Sequence, residues 1–403
     1  MRNPDQPNAN PSDPDFAAIR RLAVVFPTLG GGGVERMRMH LIHDWVMRGI
    51  AVDLVLRSAE GPLQPLVPKE VRIFEAGRYG SLSFPIGLYH YIRERRPSHI
   101  LATPADIAAL CLAFRRLTSP RIPVVVSIHN HLSSQIQIAR GVRHYKARLA
   151  VKFFATQIQH ARAVITVSQG IADDLDAHFP NLTFQPKVIY NPVITDQTQA
   201  LIQAPVPDIG VPQGAPFILF VGRFVAAKGI DILIRAFQEI AGRTNAHLVL
   251  IGEGPLRNEI ESHIRENCFA NRIHLPGFQS NPLPFMRAAT VVVLPSRHEG
   301  LGNVLIEAMA CGTQVIASDC PSGPAEILAN GRFGQLVRPE DPAALASALL
   351  RTLNGEKPAS SAELQARANE FSIDRASHAY LEALVGHRKR PVASNTTGST
   401  GAV

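Results

Sequence analysis

The sequence predicts two doubly wound α/β domains facing one another across a cleft. Three observations carry this. Short apolar runs alternate with amphipathic helical stretches, the alternation occurs twice, and a proline-rich break separates the two series. A chain of 403 residues is also too long for one small core. Ligands of open parallel sheets bind beyond the carboxyl ends of the strands, so functional residues are expected just after strands.

In the first half, strands are expected at Leu22–Phe26, Ala51–Leu56, His99–Thr103, Val124–Ile128, Ala163–Val167 and Lys187–Ile189. Helices fall between them, for example Val34–Arg48, closed by Gly49 as a C-cap. Asn191 to Gly214 carries Pro192, Pro205, Pro207 and Pro212 without strong periodicity and reads as an interdomain linker. The second half resumes with strands near Phe217–Val221, His247–Ile251, Ile273–Leu275, Val291–Leu294 and Val315–Ala317. A last helix is expected over Ser372–His387. The resulting division is a disordered lead-in at 1–18, an N-terminal domain at 19–195, a linker at 196–214 and a C-terminal domain at 215–371. The final helix at 372–390 and a low-complexity, disordered tail at 391–403 complete it.

Composition narrows the class. Apolar residues make up 46% and charged residues 18%, a globular balance. No apolar run is long enough to cross a membrane, since the best candidate, Ile100 to Phe114, is broken by Pro104 and Asp106. The Asn-, Pro- and Asp-rich start lacks the pattern of a signal peptide. The scattered cysteines Cys111, Cys268, Cys311 and Cys320 suit reduced core thiols in a cytoplasmic protein.

Charge is uneven. Residues 1–200 hold 23 Lys and Arg against 15 Asp and Glu, whereas the rest is balanced. The excess peaks between Arg93 and Lys152, where 11 cations face two acids. The run Arg140, Arg143, Lys146 and Arg148 has helical spacing, with Ile136, Ile138, Tyr145 and Leu149 as an apolar border. This predicts peripheral contact of residues 93–152 with an anionic membrane; the bland alternative is a solvated basic face. No nucleic-acid motif accompanies the charge, so nucleic acid is not expected as a partner.

Several loops carry chemistry. Gly30 to Gly33 lie between the first strand and its helix, where free amides and the helix dipole favour an anion; a flexible turn is the plain alternative. Asp53 is a candidate ribose-binding acid, although Val52-Asp53-Leu54 equally fits a plain strand. Gly222-Arg223 and Lys228-Gly229 set two cations at one strand-to-helix crossing, as a diphosphate requires. Gly252-Glu253-Gly254-Pro255 follows the next strand. Glu299 lies in a loop with Gly300, Leu301 and Gly302, Asn303 is expected to cap the next helix, and Glu307 lies one turn inside it. Carboxylates suit sugar hydroxyls because each accepts strong hydrogen bonds. A further Gly-Pro turn and Glu326 follow.

In this order and at these intervals the motifs resemble retaining glycosyltransferases of sequence family 4, the group 1 transferases with the GT-B fold. The resemblance spans roughly Arg21 to His387 and is densest from Phe217 to Leu328. It implies that Arg223 and Lys228 hold the donor diphosphate, and that Glu307 binds the nucleotide's ribose. It implies that Glu299 contacts the donor sugar, with Gly300, Leu301, Gly302 and Asn303 as the adjoining amide loop. Gly32 and Gly33 would close on donor phosphate and acceptor, Gly222, Gly252 and Gly254 would line the donor site, and His129 would stand beside the reacting carbon. The last helix would cross back onto the N-terminal domain. Two departures, Glu299-Gly-Leu-Gly-Asn303 and Ser322-Gly-Pro-Ala-Glu326, bear on the donor sugar and hint at N-acetylated hexosamines.

The implied function is retaining transfer of a hexosyl or N-acetylhexosaminyl group from a nucleoside-diphosphate sugar to a glycan or lipid-linked hydroxyl, in polysaccharide, lipopolysaccharide or glycolipid synthesis. No cofactor and no metal are expected, because Arg223, Lys228 and helix amides would stabilise the leaving group. The competing readings are an epimerase of the same fold and a non-catalytic sugar-nucleotide-binding protein.

Overall fold

The computed structural model describes residues 16–386 except 31, 78–82, 134–141, 181, 183 and 267. Gly31, Ile136, Ile138, Arg140, the lead-in to Pro14 and the tail from Pro391 therefore lie outside the described residues. So do the side chains of Arg143, Tyr145 and Lys146.

The chain builds two wholly parallel sheets. The first contains β1 (Leu22–Phe26), β2 (Val52–Leu56), β3 (Arg72–Glu75), β4 (His99–Ala102), β5 (Val124–Ile128), β6 (Ala163–Thr166) and β7 (Lys187–Val188), in the order β3-β2-β1-β4-β5-β6-β7. The second contains β8 (Phe217–Val221), β9 (His247–Ile251), β10 (Ile273–Gly277), β11 (Val291–Leu294), β12 (Gln314–Ser318) and β13 (Gln335–Val337), in the order β10-β9-β8-β11-β12-β13. β1, β2, β4, β5 and β9 are buried along their whole length, as continuous apolar runs between helical layers must be. Strand order reverses between β1 and β4 and again between β8 and β11, and crevices open at such reversals. The glycine loop follows β1, the Arg223–Lys228 loop follows β8 and the Glu299 loop follows β11. The fold thus delivers these three loops to the two reversals.

Two strands escape the sequence reading. β3 is an edge strand whose residues are mostly exposed, so it shows neither alternation nor an apolar run. β13 is only three residues long. The linker is also more ordered than expected: it contains the helix Thr198–Ile202, and Val193 and Ile194 donate backbone hydrogen bonds to Phe371. Of the four cysteines, all free, Cys268 is exposed rather than a core thiol.

The final helix runs Ile373–Val385 and crosses onto the N-terminal domain. Its Tyr380, Leu381 and Leu384 share a buried cluster with Leu22, Ile42 and Trp45. Ser377 Oγ donates to Asp44, and Arg162 Nη2 donates to the Val385 carbonyl at 2.8 Å. Another apolar cluster contains Ile171 of the first half together with Leu301 and Leu305 of the second. The cleft floor is therefore a packed surface.

Candidate functional site

The C-terminal wall is built from the loops after β8 and β11. Lys228 Nζ donates to Glu299 Oε1 at 2.6 Å, and Ser296 Oγ donates to the same oxygen at 2.6 Å. Glu299's side chain is only 8% exposed, so this contact is far better shielded than an ordinary surface ion pair. The sequence places the two residues at separate tasks; the structure brings them into contact. Arg223 lies exposed at the same crossing, with no side-chain partner among the described residues.

Arg297 holds the two loops together and was not singled out from the sequence. Its guanidinium meets Asp231 bidentately at 2.9 and 2.8 Å, Glu340 at 2.8 Å and the Ala226 carbonyl at 2.7 Å. The Arg297 hydrogen bonds hold the Asp231 carboxyl below its usual range and Asp231 in turn raises the guanidinium. Such a planar fork needs two carboxylates far apart in sequence, and only folding reveals them. Gly222 and Gly252 meet back to back: Gly252 has φ +143° and a Cβ there would strike the Gly222 carbonyl. Gly254 packs equally closely against Phe224. These glycines set the approach of neighbouring loops, whatever else they contact.

The loop after Glu299 reaches the other domain. A Cβ on Gly300 would collide with the His129 carbonyl, and Ser168 Oγ donates to the Gly300 carbonyl at 2.8 Å. Leu301 is buried, so only its backbone can face a ligand. Asn303 is not the N-cap. Gly302, at φ +95°, takes that position and Asn303 is the first helical residue of Asn303–Ala310. The left-handed turn demands glycine, and this frees the Asn303 side chain to accept from Asn191 Nδ2 at 2.9 Å. Nδ2 of Asn303 also lies beside Gly33, so the glycine loop and the Glu299 block do converge. Gly32 caps the helix Gly33–Met47. Glu307 is pushed up to about 7 by burial, with Arg36 of the first domain opposing the shift.

The N-terminal wall is different in kind. His129 is buried at the end of β5, and burial followed by the nearby Arg38 charge holds its ring well below the usual imidazole range. His131 Nε2 donates to Ser322 Oγ at 2.5 Å, and that hydroxyl donates to the Glu299 carbonyl at 3.0 Å. Glu326 receives the backbone N–H groups of Gln169 at 2.7 Å and Gly170 at 3.1 Å, at the start of the helix Gln169–His178. It ties the two domains together.

Asp53 does not reach the cleft chemistry expected of a ribose-binding acid. It is buried within β2, where Arg21 donates to it at 3.2 Å and Tyr91 at 2.9 Å, and is thereby used up. Asp174-Leu175-Asp176 has the Asp-x-Asp spacing found in metal sites. Its Asp174 Oδ2 accepts from the Leu132 amide at 2.8 Å, and no group of three metal-ligating side chains occurs among the described residues.

Comparison with known proteins agrees with this arrangement. Residues 215–355 match the family model of glycosyl transferases group 1, and residues 31–197 match that of glycosyltransferase family 4. The N-acetylgalactosamine-N,N'-diacetylbacillosaminyl-diphospho-undecaprenol 4-alpha-N-acetylgalactosaminyltransferase of Campylobacter jejuni is 29% identical over 375 residues, 89% of this chain and 96% of that one. The lipopolysaccharide core biosynthesis glycosyltransferase LpsE of Rhizobium meliloti is 25% identical over 367 residues, 88% of this chain and 96% of that one. Among solved structures, Anabaena Alr3699/HepE in complex with UDP-glucose superposes with a TM-score of 0.73 at 19% identity, covering 90% of this chain and 99% of that chain. With both halves matched and the two facing parallel-sheet domains in place, the chain belongs to the group 1, family 4 glycosyltransferases of the GT-B fold.

Proposed function

We propose that this glycosyltransferase moves a hexosyl or N-acetylhexosaminyl group from a nucleoside-diphosphate sugar to a hydroxyl of a glycan or lipid-linked acceptor, with retention and without a metal ion. The observation that carries the reading is the meeting of Lys228 and Glu299 at 2.6 Å in one cleft with His129 and the glycine loop. In this reading the donor phosphate competes for the Lys228 ammonium, and the released Glu299 carboxylate takes up sugar hydroxyls. Arg223, Lys228 and the first amides of the helix Ile230–Ala241 stabilise charge developing on the leaving diphosphate. The acceptor oxygen bonds to the anomeric carbon on the face the diphosphate leaves, and the departing phosphate oxygen takes the hydroxyl proton. Glu307 binds the ribose.

The relatives' names support a lipid-linked or lipopolysaccharide acceptor. Support for membrane contact comes from three helices packed side by side, Ser83–Arg95, Ala105–Thr118 and Val142–Ile158. They expose Ile86, Leu117, Leu149 and Phe153 alongside Arg93, Arg95, Arg116, Arg148 and Lys152. Each engaged cation contributes about 1 kcal/mol near an acidic leaflet. Co-sedimentation is expected with acidic vesicles and not neutral ones, and is expected to fall with salt; equal binding to both removes the membrane reading.

Nucleotide sugars are first screened for thermal stabilisation, because a ligand of the folded state raises apparent stability. The stabilising donor is then incubated with acceptor in excess EDTA, and the product's anomeric configuration is read by NMR. Retained configuration and undiminished rate are expected. Inverted product, or activity restored only by a divalent ion, overturns the mechanism; conversion of donor alone marks an epimerase.

A further inference from the structure

The wall around His129 holds an arginine that the proposed reaction does not use. Arg38 is fully buried on the helix Gly33–Met47, and its Nε and Nη1 have no hydrogen-bond partner among the described residues. Its Nη2 donates to His129 Nε2 at 3.2 Å, while its guanidinium lies over the Tyr380 ring, 5.4 Å from the centroid, and interacts with the Tyr380 hydroxyl. A buried cation with no carboxylate is costly, and so calls for a purpose. A guanidinium can only donate, so His129 Nε2 must accept and carries no proton. That nitrogen has one lone pair, so the Ser127 hydroxyl, 2.8 Å away, shares it with Arg38 in a three-centre bond, which leaves Ser127 Oγ to accept from the Tyr380 hydroxyl at 3.2 Å. Every proton in this buried network is assigned, and the ring proton is left on Nδ1. That atom is itself buried and has no partner among the described residues.

We infer that Arg38 is a positioning residue that fixes His129 as its neutral Nδ1–H tautomer, so that the ring offers one donor to an oxygen of the transferred sugar. The sugar oxygen rests on the proposed function; the tautomer does not. An imidazolium here would bring a second positive charge against Arg38 away from water, and burial with that charge already holds the ring's proton affinity down. The titratable groups facing the ring are Arg38 from the first helix and Tyr380 from the crossing helix. The loop of the other domain brings Gly300 to the His129 carbonyl, and the carboxylate of Glu299 is turned to Lys228. His129 thus orients substrate and does not shuttle protons at neutral pH.

The test is a long-range proton–nitrogen correlation spectrum of the full-length protein labelled with nitrogen-15 at histidine, with His129 assigned by its loss in His129→Gln. A neutral Nδ1–H ring is expected at neutral pH and is expected to persist on acidification past the point where an ordinary imidazole takes up its second proton. A proton on Nε2, or a ring charged at neutral pH, overturns the inference whether or not the protein transfers sugar. Arg38→Met is expected to move the titration of His129 upward, though burial still holds it below the usual imidazole range, to free the ring to take the other tautomer and to lower kcat/KM roughly tenfold, for one misdirected hydrogen bond. Arg38→Lys, which keeps a cationic donor, is expected to restore the tautomer and kcat/KM. Should Arg38→Met fail to fold, the wild-type spectrum still decides. An intact Nδ1–H signal without any glycosyl transfer counts instead against the proposed function.

Discussion

The two walls of the cleft solve electrostatics in opposite ways. The C-terminal wall is ionic: Lys228 pairs with Glu299, Arg297 with Asp231 and Glu340, and Arg223 stands exposed. The N-terminal wall buries Arg38 against a neutral histidine, with no carboxylate partner among the described residues. A wall of exchangeable ion pairs suits a charged ligand, because an incoming diphosphate replaces one anion by another at little desolvation cost. A dry wall with fixed protons suits an uncharged group, where direction matters more than charge. On the proposed function the ionic wall would hold the diphosphate, with Glu299 turned to the sugar, and the neutral wall would face the sugar alone.

Breaking the ionic wall has the largest expected effect. Lys228→Ala and Glu299→Gln are each expected to lower kcat by about 2–4 kcal/mol of transition-state stabilisation. Because the two side chains touch at 2.6 Å, the double variant is expected to lose much less than the sum. Initial rates of the three variants measure this, and additive losses mean that the pair does not act as a unit.

Acid sharpens the contrast from the N-terminal side. Burial, then the Arg162 charge, pulls His99 at the start of β4 down to about 4. Above pH 6.5 the ring is neutral in both states and pH has no effect through it. Below that, the unfolded chain binds a proton that the native state refuses, so stability falls as pH drops towards 4. By pH 5 the loss from this group is about 2 kcal/mol. Urea unfolding at pH 7.5 and pH 5 measures it, and His99→Gln is expected to remove that part of the slope; an unchanged slope contradicts the assignment.

Glu326→Ala uncovers the two amides at the start of the helix Gln169–His178, a loss of about 1–2 kcal/mol in urea unfolding. Wild-type stability in that variant shows that the cross-domain cap contributes nothing. The smallest effect concerns Glu307, whose carboxyl titrates near 7. Since the carboxylate is the stronger acceptor, nucleoside-diphosphate affinity is expected to weaken by about 1 kcal/mol between pH 8 and pH 6. The same titration of Glu307→Gln is expected to be flatter. Equal pH dependence in both proteins means the ribose is held elsewhere.

Much of the architecture was legible in the sequence, because local patterns specify it. Continuous apolar runs flanked by helical periodicity located eleven of the strands, and turn glycines marked the loops that follow β1, β8 and β11. β3 was illegible because an exposed edge strand shows no apolar run to read. Asn303 was misplaced by one residue, since cap propensity favours Asn while the backbone there is left-handed and takes Gly302.

The sequence by itself determined two doubly wound halves, the loops that carry Arg223, Lys228 and Glu299, the helix that carries Glu307, and the presence of a last helix. Tertiary structure alone decided what those residues touch. Lys228 meets Glu299 across 71 positions, Arg38 meets His129 across 91 and Ser127 meets Tyr380 across 253. It also decided that Asp53 belongs to Arg21 and Tyr91. Periodicity and turn chemistry act over a few residues and are written locally. A hydrogen bond between distant residues depends on how whole sheets and helices pack, and no local pattern encodes that.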